Sequence, residues 1–343
     1  MRPGTEAELA EMIREAPGPL AVRGGGTRIW PGEGQGAPLT TAGLTGITLY
    51  EPAALTLVVR AGTLLADVQA ALAAEGQMLG FEPDPRPGST IGGVAAANAS
   101  GPRRVLSGAC RDAMIGLRMV DGTGTVVANG GRVMKNVTGY DLVKLAAGSR
   151  GRLGVLTEVA FKTTPIPPVT AIISLPGLDA PAAIPALTAA LTAPFDVSAA
   201  QWHPDHGAVL RIEGLPGSVA IRRDALVRHL SPFGTVQDHD QPLPVCPNTR
   251  SGGDLWRIVC LPSQAPALLA ALPAPLAVDW GGALIWAELP AAEAPRLPPF
   301  TGHARRVSGA QPGLTPAESP AIAALNAGIR ARFDPRGLFQ GTG

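Results

Sequence analysis

The sequence predicts an α+β chain with room for two domains, and three observations carry that expectation. Helix-like and strand-like stretches alternate, with no long helical block. The length of 343 residues exceeds what one hydrophobic core usually fills. Glycine and proline are abundant, 43 and 35 residues, yet they punctuate apolar runs and are not gathered into polar tracts, so they read as turns and close backbone approaches.

The elements follow in order. Thr5, with Glu8 three residues on, makes a capping-box start, and Leu9, Met12, Ile13 and Ala16 share one face of a helix running to about Ala16. Pro19 to Arg23 is a short strand that breaks into Gly24-Gly25-Gly26. "LTLVVRAG" at 55–62 reads as another strand, and the helix "LADVQAALAAEG" follows, closed by Gly76. After "TTPIPP" at 163–168 the character shifts to Ala, Pro and Leu, with scattered Trp and all five histidines, which marks a domain boundary. Trp202, Trp256, Trp280 and Trp286 of that second part fit a core or a partner interface. A last helix, "SPAIAALNAGIRARF", places Ile322, Leu325, Ile329 and Phe333 on one face.

Composition excludes several classes. With 28 basic and 27 acidic residues the net charge is +1, so no global field points to nucleic acid or an anionic membrane. Cys110, Cys246 and Cys260 are too few and too scattered for a disulfide framework or metal knuckle, which fits a reducing cytosol. No apolar run reaches the roughly 18 residues a spanning helix needs, and the N-terminus lacks a signal-peptide core, so a soluble cytoplasmic protein is expected. Rossmann, P-loop and nucleophile-elbow glycine motifs are all missing.

What remains is a set of glycine-dense loops. Arg23, Gly24, Gly25, Gly26, Thr27 and Arg28 could form a backbone nest for an anion, or an ordinary loop. The stretch Pro83 to Arg104 exposes backbone at Gly88-Ser89-Thr90 and Gly92-Gly93 and then runs through small residues to Asn98 and Gly101, suiting either a flat ligand or a tight helix crossing. The third runs from "GACRD" to "GSRGRLGVLTEV" and includes Gly154 and Val155. Residues 101–165 hold ten Lys/Arg against four Asp/Glu, a local charge of +6 that would offset a diphosphate.

"RGGGT", "PGSTIGG", "AANASGP", "GACRD", "KNVTGYDL" and "GSRGRLGVLTEV", in this order and spacing, resemble the FAD-binding domain of the vanillyl-alcohol oxidase (PCMH) type found in D-2-hydroxy-acid dehydrogenases. "LWRIVCLP", "DWGGALIWAEL" and "FDPRGLF" narrow the resemblance to the FAD-binding E-subunit family of bacterial glycolate oxidase. The resemblance implies an FAD domain of two α+β subdomains over 1–166, an α+β cap over 167–312, and a C-terminal helical segment, 313–343, returning to the FAD domain. It places Arg23 to Arg28 at the pyrophosphate, and Gly88, Ser89, Thr90, Gly92 and Gly93 along the isoalloxazine and phosphates. Asn98 and Gly101 would lie close by, with Gly154 and Val155 at the adenosine end. Family members often end in Phe-Asn-Pro-Gly, whereas this chain has Phe339-Gln340-Gly341, which puts a C-terminal flavin contact in doubt.

The first histidine is His203 and Cys110 reads as a buried thiol, so the FAD is expected to be noncovalent. Oxidising a 2-hydroxy acid also needs a base or metal and an arginine for the carboxylate. "WHPDHG", with His203 and His206, could supply metal ligands but reads more naturally as a hairpin turn, so no metal is expected. Arg103, Arg104 and Tyr140 are the candidates for a substrate role. The resemblance therefore implies an accessory flavoprotein working with a paralogous FAD-containing subunit and an iron-sulfur subunit, touching the membrane only through partners. A self-sufficient D-lactate-like dehydrogenase and a flavin-free scaffold are the alternatives.

Overall fold

The computed structural model describes residues 1–131, 140–273 and 275–339. Two compact units share these residues: the first takes 1–100, 108–166 and the stretch from Glu318 onward, and the second takes Gly101–Ser107 and Pro167–Ala317.

The first unit opens with α1 (Glu6–Glu15), where Thr5 accepts from the Glu8 amide and Leu9 and Ile13 turn inward. Burying each of those two side chains contributes about 1.5–3 kcal/mol. Glu8 reaches back to the amide of Gly4, one residue short of the expected box. A parallel pair follows, β1 (Leu20–Arg23) with β2 (Ala37–Thr40). Next come β3 (Ile47–Glu51), β4 (Thr56–Arg60), α2 (Leu65–Ala74), β5 (Gln77–Met78) and α3 (Ile91–Ala96). The short α4 (Arg104–Ser107) belongs to the other unit. The chain then returns through α5 (Cys110–Ala113), β6 (Met114–Val120), β7 (Val126–Gly130), α6 (Leu142–Ala146), β8 (Val155–Lys162) and β9 (Thr164–Pro165).

Strands order β3-β4-β8-β6-β7 in an antiparallel sheet. Central β8 reads VLTEVAFK and buries six of its eight residues, the near-continuous apolar run that a strand covered on both faces requires. Leu65, Val68 and Leu72 of α2 pack on one core with Phe81 and Phe161, whose rings lie 5.6 Å apart. A second core joins Leu9 and Ile13 to Leu20, Leu39, Val120 and Val155.

The second unit is built on a nine-stranded antiparallel sheet. Its elements are β10 (Val169–Leu175), α7 (Ala180–Thr192), β11 (Val197–His203), β12 (Gly207–Gly214), α8 (Pro216–Leu230), β13 (Gln237–Asp238), β14 (Asp254–Cys260), α9 (Ala265–Ala270), β15 (Pro275–Asp279), β16 (Leu284–Leu289), β17 (Gly302–Arg306) and β18 (Leu314–Thr315). The order across the sheet is β13-β10-β12-β11-β15-β16-β14-β17-β18. Ala183, Ile184 and Leu187 of α7 seal the core with Leu268 of α9 and Leu226 of α8. Trp202, Trp256, Trp280 and Trp286 are all buried, which settles them as core.

The last element, α10 (Pro320–Phe333), is N-capped by Ser319 and belongs to the first unit. None of its residues is fully buried: Ile322 and Leu325 are 50% and 63% exposed, and of the apolar face expected from the periodicity Phe333, at the end of the helix, packs partly buried against the core. Anchorage comes from the residues after the helix. Asp334 accepts from the amides of Leu338 and Phe339 at 2.8 and 2.7 Å, and Leu20 donates to the Leu338 carbonyl at 2.8 Å. The Arg336 guanidinium caps α1, donating to the carbonyls of Ile13, Arg14 and Ala16.

Candidate functional site

The first unit carries an open cleft, and glycine geometry builds one wall of it. A methyl on Gly25 would lie 1.7 Å from the Gly88 carbonyl oxygen, and one on Gly24 would lie 2.2 Å from Thr90 Oγ1. The two glycine loops therefore press backbone to backbone into a single surface. Gly26 differs: it sits at φ +70° with nothing within 4 Å of a Cβ, so it presents bare main chain to the cleft. Thr90 caps α3 by accepting from the Gly93 amide at 3.3 Å, and Gly92 lets α3 approach Ala61.

Arginines ring the same cleft. Arg28 donates to Ser89 Oγ and to the Asp84 carbonyl, locking the two glycine loops together through side chains. Arg86 donates to the Thr27 carbonyl at 2.8 Å and pairs with Asp84. Across the cleft, Arg150 lies 3.4 Å over the Trp30 ring and donates from Nη2 to Glu33 Oε2 at 2.6 Å and to the Arg28 carbonyl. Arg152 stands 3.8 Å from Glu33. Burial pulls the Arg152 pKa below the usual guanidinium value, and Glu33 opposes that pull. Leu20, Val22, Val155, Leu156 and Phe339 give the cleft an apolar end.

Of the residues singled out from the sequence, Arg23 to Arg28, Thr90, Gly92, Gly93, Gly154 and Val155 line this cleft. Gly88 and Ser89 stand behind the wall as its hydrogen-bonded support. Asn98, at φ +47°, accepts from the Arg111 amide at 2.9 Å and organises the turn into α5. Gly101 belongs to the second unit, where its carbonyl accepts from Trp280 Nε1 at 3.0 Å. Arg103 is closed off in an ion pair with Glu213, and Arg104 stacks 4.5 Å over Trp280. Tyr140 is 89% exposed. Residues 135–139 of the "KNVTGYDL" motif, and the Gln340-Gly341 departure, lie outside the described residues.

Sequence reasoning missed Glu33, Arg150 and Arg152. The local excess of +6 pointed towards the two arginines, but nothing in the sequence marks Glu33. His203 and His206 flank the β11–β12 hairpin turn, their rings 5.3 Å apart, with His239 5.0 Å beyond. Burial lowers the pKa of His203 and of His239. Among the described residues no group of His, Cys, Asp or Glu is arranged to hold a metal ion. Cys110 is fully buried, and burial pushes its thiol pKa far up, the reverse of a reactive thiolate.

Comparison with known proteins agrees with this geometry. Residues 1–130 match the family described as FAD binding domain. The chain is 36% identical to glycolate oxidase subunit GlcE of Escherichia coli over 331 residues, 94% of this chain and 91% of that one. The chain belongs to the GlcE family. FAD is its cofactor. Glycolate oxidase subunit GlcD of Bacillus subtilis is 35% identical over 43% of this chain and 32% of its own length. A D-lactate dehydrogenase of Anaerostipes hadrus is 33% identical over 47% of this chain and 34% of its own. Among solved structures, alkyldihydroxyacetonephosphate synthase superposes with a TM-score of 0.66 at 14% identity, covering all of this chain and 75% of that one, a likeness of fold alone. The fold is the vanillyl-alcohol oxidase-type one that the sequence motifs predict. No helix among the described residues is long and apolar enough to cross a membrane.

Proposed function

We propose that this chain is the FAD-holding E subunit of a glycolate-oxidising complex, working beside a paralogous flavin subunit and an iron-sulfur subunit in the cytoplasm or on the inner face of the membrane. The observation that carries the reading is the near full-length similarity to a glycolate oxidase subunit in a chain whose glycine wall leaves bare backbone facing an arginine-ringed cleft. The fit to FAD rests on that wall: a Cβ at Gly25 or Gly24 would break it, and Gly26 offers main chain to a diphosphate.

When bound, FAD accepts the two electrons that leave glycolate as it becomes glyoxylate, for onward transfer to an iron-sulfur centre. The Gly24–Gly26 backbone, with Arg23, Thr27 and Arg28, holds the diphosphate. Gly88 to Thr90, Gly92 and Gly93 back the ring side, and Gly154 and Val155 take the adenosine end. The Cys110 thiol is sealed in the core, which supports noncovalent FAD. Glu33, the acidic group of the cleft lining, is already paired with Arg150 and Arg152, so the proposal places substrate oxidation on the paralogous subunit.

A second reading, a self-sufficient D-2-hydroxy-acid dehydrogenase, draws on the partial similarity to D-lactate dehydrogenases. The purified chain separates the two. A yellow protein whose flavin absorbance is unchanged by glycolate or D-lactate alone, and bleached by glycolate in the assembled complex, supports the first reading. Bleaching without partners supports the second, and a colourless protein that takes up no FAD on titration removes both.

A further inference from the structure

We infer that Arg152 supplies a side-chain charge to the diphosphate of the bound nucleotide, and that Glu33 is the positioning residue that sets it there. This rests on the reading that the cleft holds FAD.

A carboxylate in an anion pocket needs a reason, because its charge repels the ligand. Here Glu33 stands at the centre of a network: Arg150 donates to it and stacks on Trp30, Arg152 faces it at 3.8 Å, and its Oε2 accepts the Trp30 amide at 2.9 Å. The Glu33 and Arg150 side chains are only 12% and 10% exposed, and Arg152 is 20% exposed. A glutamate so enclosed fixes two long side chains that would otherwise sample many rotamers, removing an ordering penalty from ligand capture. Backbone geometry agrees, for Arg150 is held at φ +56°, a conformation that ordinary side chains rarely adopt, immediately before Gly151 at φ +76°.

Charge accounting points the same way. Arg23, Arg28, Arg150 and Arg152 against Glu33 leave the cleft lining at +3, enough to balance a diphosphate's two negative charges. Arg150 is engaged by Glu33, Trp30 and the Arg28 carbonyl, and Arg28 by Ser89 and the Asp84 carbonyl, contacts that hold the loops together. Arg152 lines the cleft with Glu33 at longer range, at the glycine turn that leads into β8.

The test measures equilibrium binding of FAD and of riboflavin, which lacks phosphate, to the full chain by flavin fluorescence. Arg152→Ala is expected to weaken FAD about 10- to 100-fold, the usual worth of one charge-assisted hydrogen bond, with riboflavin affinity unchanged. Arg152→Lys should recover part of that loss. Glu33→Gln gives a sign test: a positioning role predicts roughly tenfold weaker FAD binding, whereas a mere repulsive charge predicts tighter binding. Equal losses for FAD and riboflavin, no loss with Arg152→Ala, or tighter binding with Glu33→Gln would overturn the inference. Failure of the wild-type chain to bind FAD at all would instead remove the functional reading beneath it.

Discussion

The two units each contain a glutamate set between two arginines, and their contrast is instructive. In the first unit Glu33 joins Arg150 and Arg152 on the wall of an open cleft. In the second, Glu213 joins Arg103 and Arg211, with the three side chains 8–10% exposed and Ser198 Oγ taking a further bond from Arg211 at 3.1 Å. The second triad ties Gly101–Ser107 to strand β12, helped by Trp280 on the Gly101 carbonyl. One constellation thus borders open space in the first unit, where we propose that it serves ligand capture, and fastens the chain where it is sealed in the second. Burial, not residue identity, decides between them.

Mutations can break or sharpen that contrast. Glu213→Ala should act on stability, leaving two buried guanidinium groups without their carboxylate at a loss of about 3–5 kcal/mol in urea unfolding. An unchanged midpoint would mean the sealed triad fastens nothing. Gly25→Val should act on the ligand side, because its side chain must displace the Gly88 carbonyl; FAD retention is expected to fall more than about a hundredfold, read from flavin absorbance after gel filtration.

A third carboxylate lies between these cases. Glu288 accepts from the amides of Arg250 and Gly253 at 2.6 and 2.7 Å and from Ser251 Oγ at 2.9 Å, and these bonds hold its pKa at about 2, below an ordinary 4.5. A lowered folded pKa means stabilisation present in full above 4.5 and lost as pH falls through about 2. Urea midpoints of the wild type and Glu288→Gln should therefore differ near neutral pH and converge on acidification. The smallest effect is expected for Arg104→Ala, which removes the stacking on Trp280, worth about 0.5–1 kcal/mol.

The parts of the site that glycine builds were legible in the sequence, because a backbone approach that tolerates no Cβ can be written only with glycine. "RGGGT" and "PGSTIGG" are such places, and their mutual contact explains why both are glycine-rich. Helices α1 and α2 were equally plain from their periodicity and caps. The Glu33 network was not, since the contact joins positions 117 residues apart and either partner alone is an ordinary surface residue type. The membership of Gly101–Ser107 in the second unit was hidden for a related reason: its anchor, Glu213, sits in an unremarkable strand. The apolar stripe of α10 was read correctly as a pattern, but a pattern shows only that a face can be buried, not that it is.

The bond from Leu20 to the Leu338 carbonyl, and the place of Phe339 beside Leu20 and Val22 in the cleft, also set an order of events during synthesis. The cleft lining from Leu20 to Leu156 is made first on the ribosome and Phe339 last, with Pro167–Ala317 of the second unit emerging between them. Until Arg336 reaches the open carbonyls of α1 and Phe339 takes its place, the apolar end of the cleft is unfinished, so on the proposed reading tight cofactor loading waits for the end of synthesis.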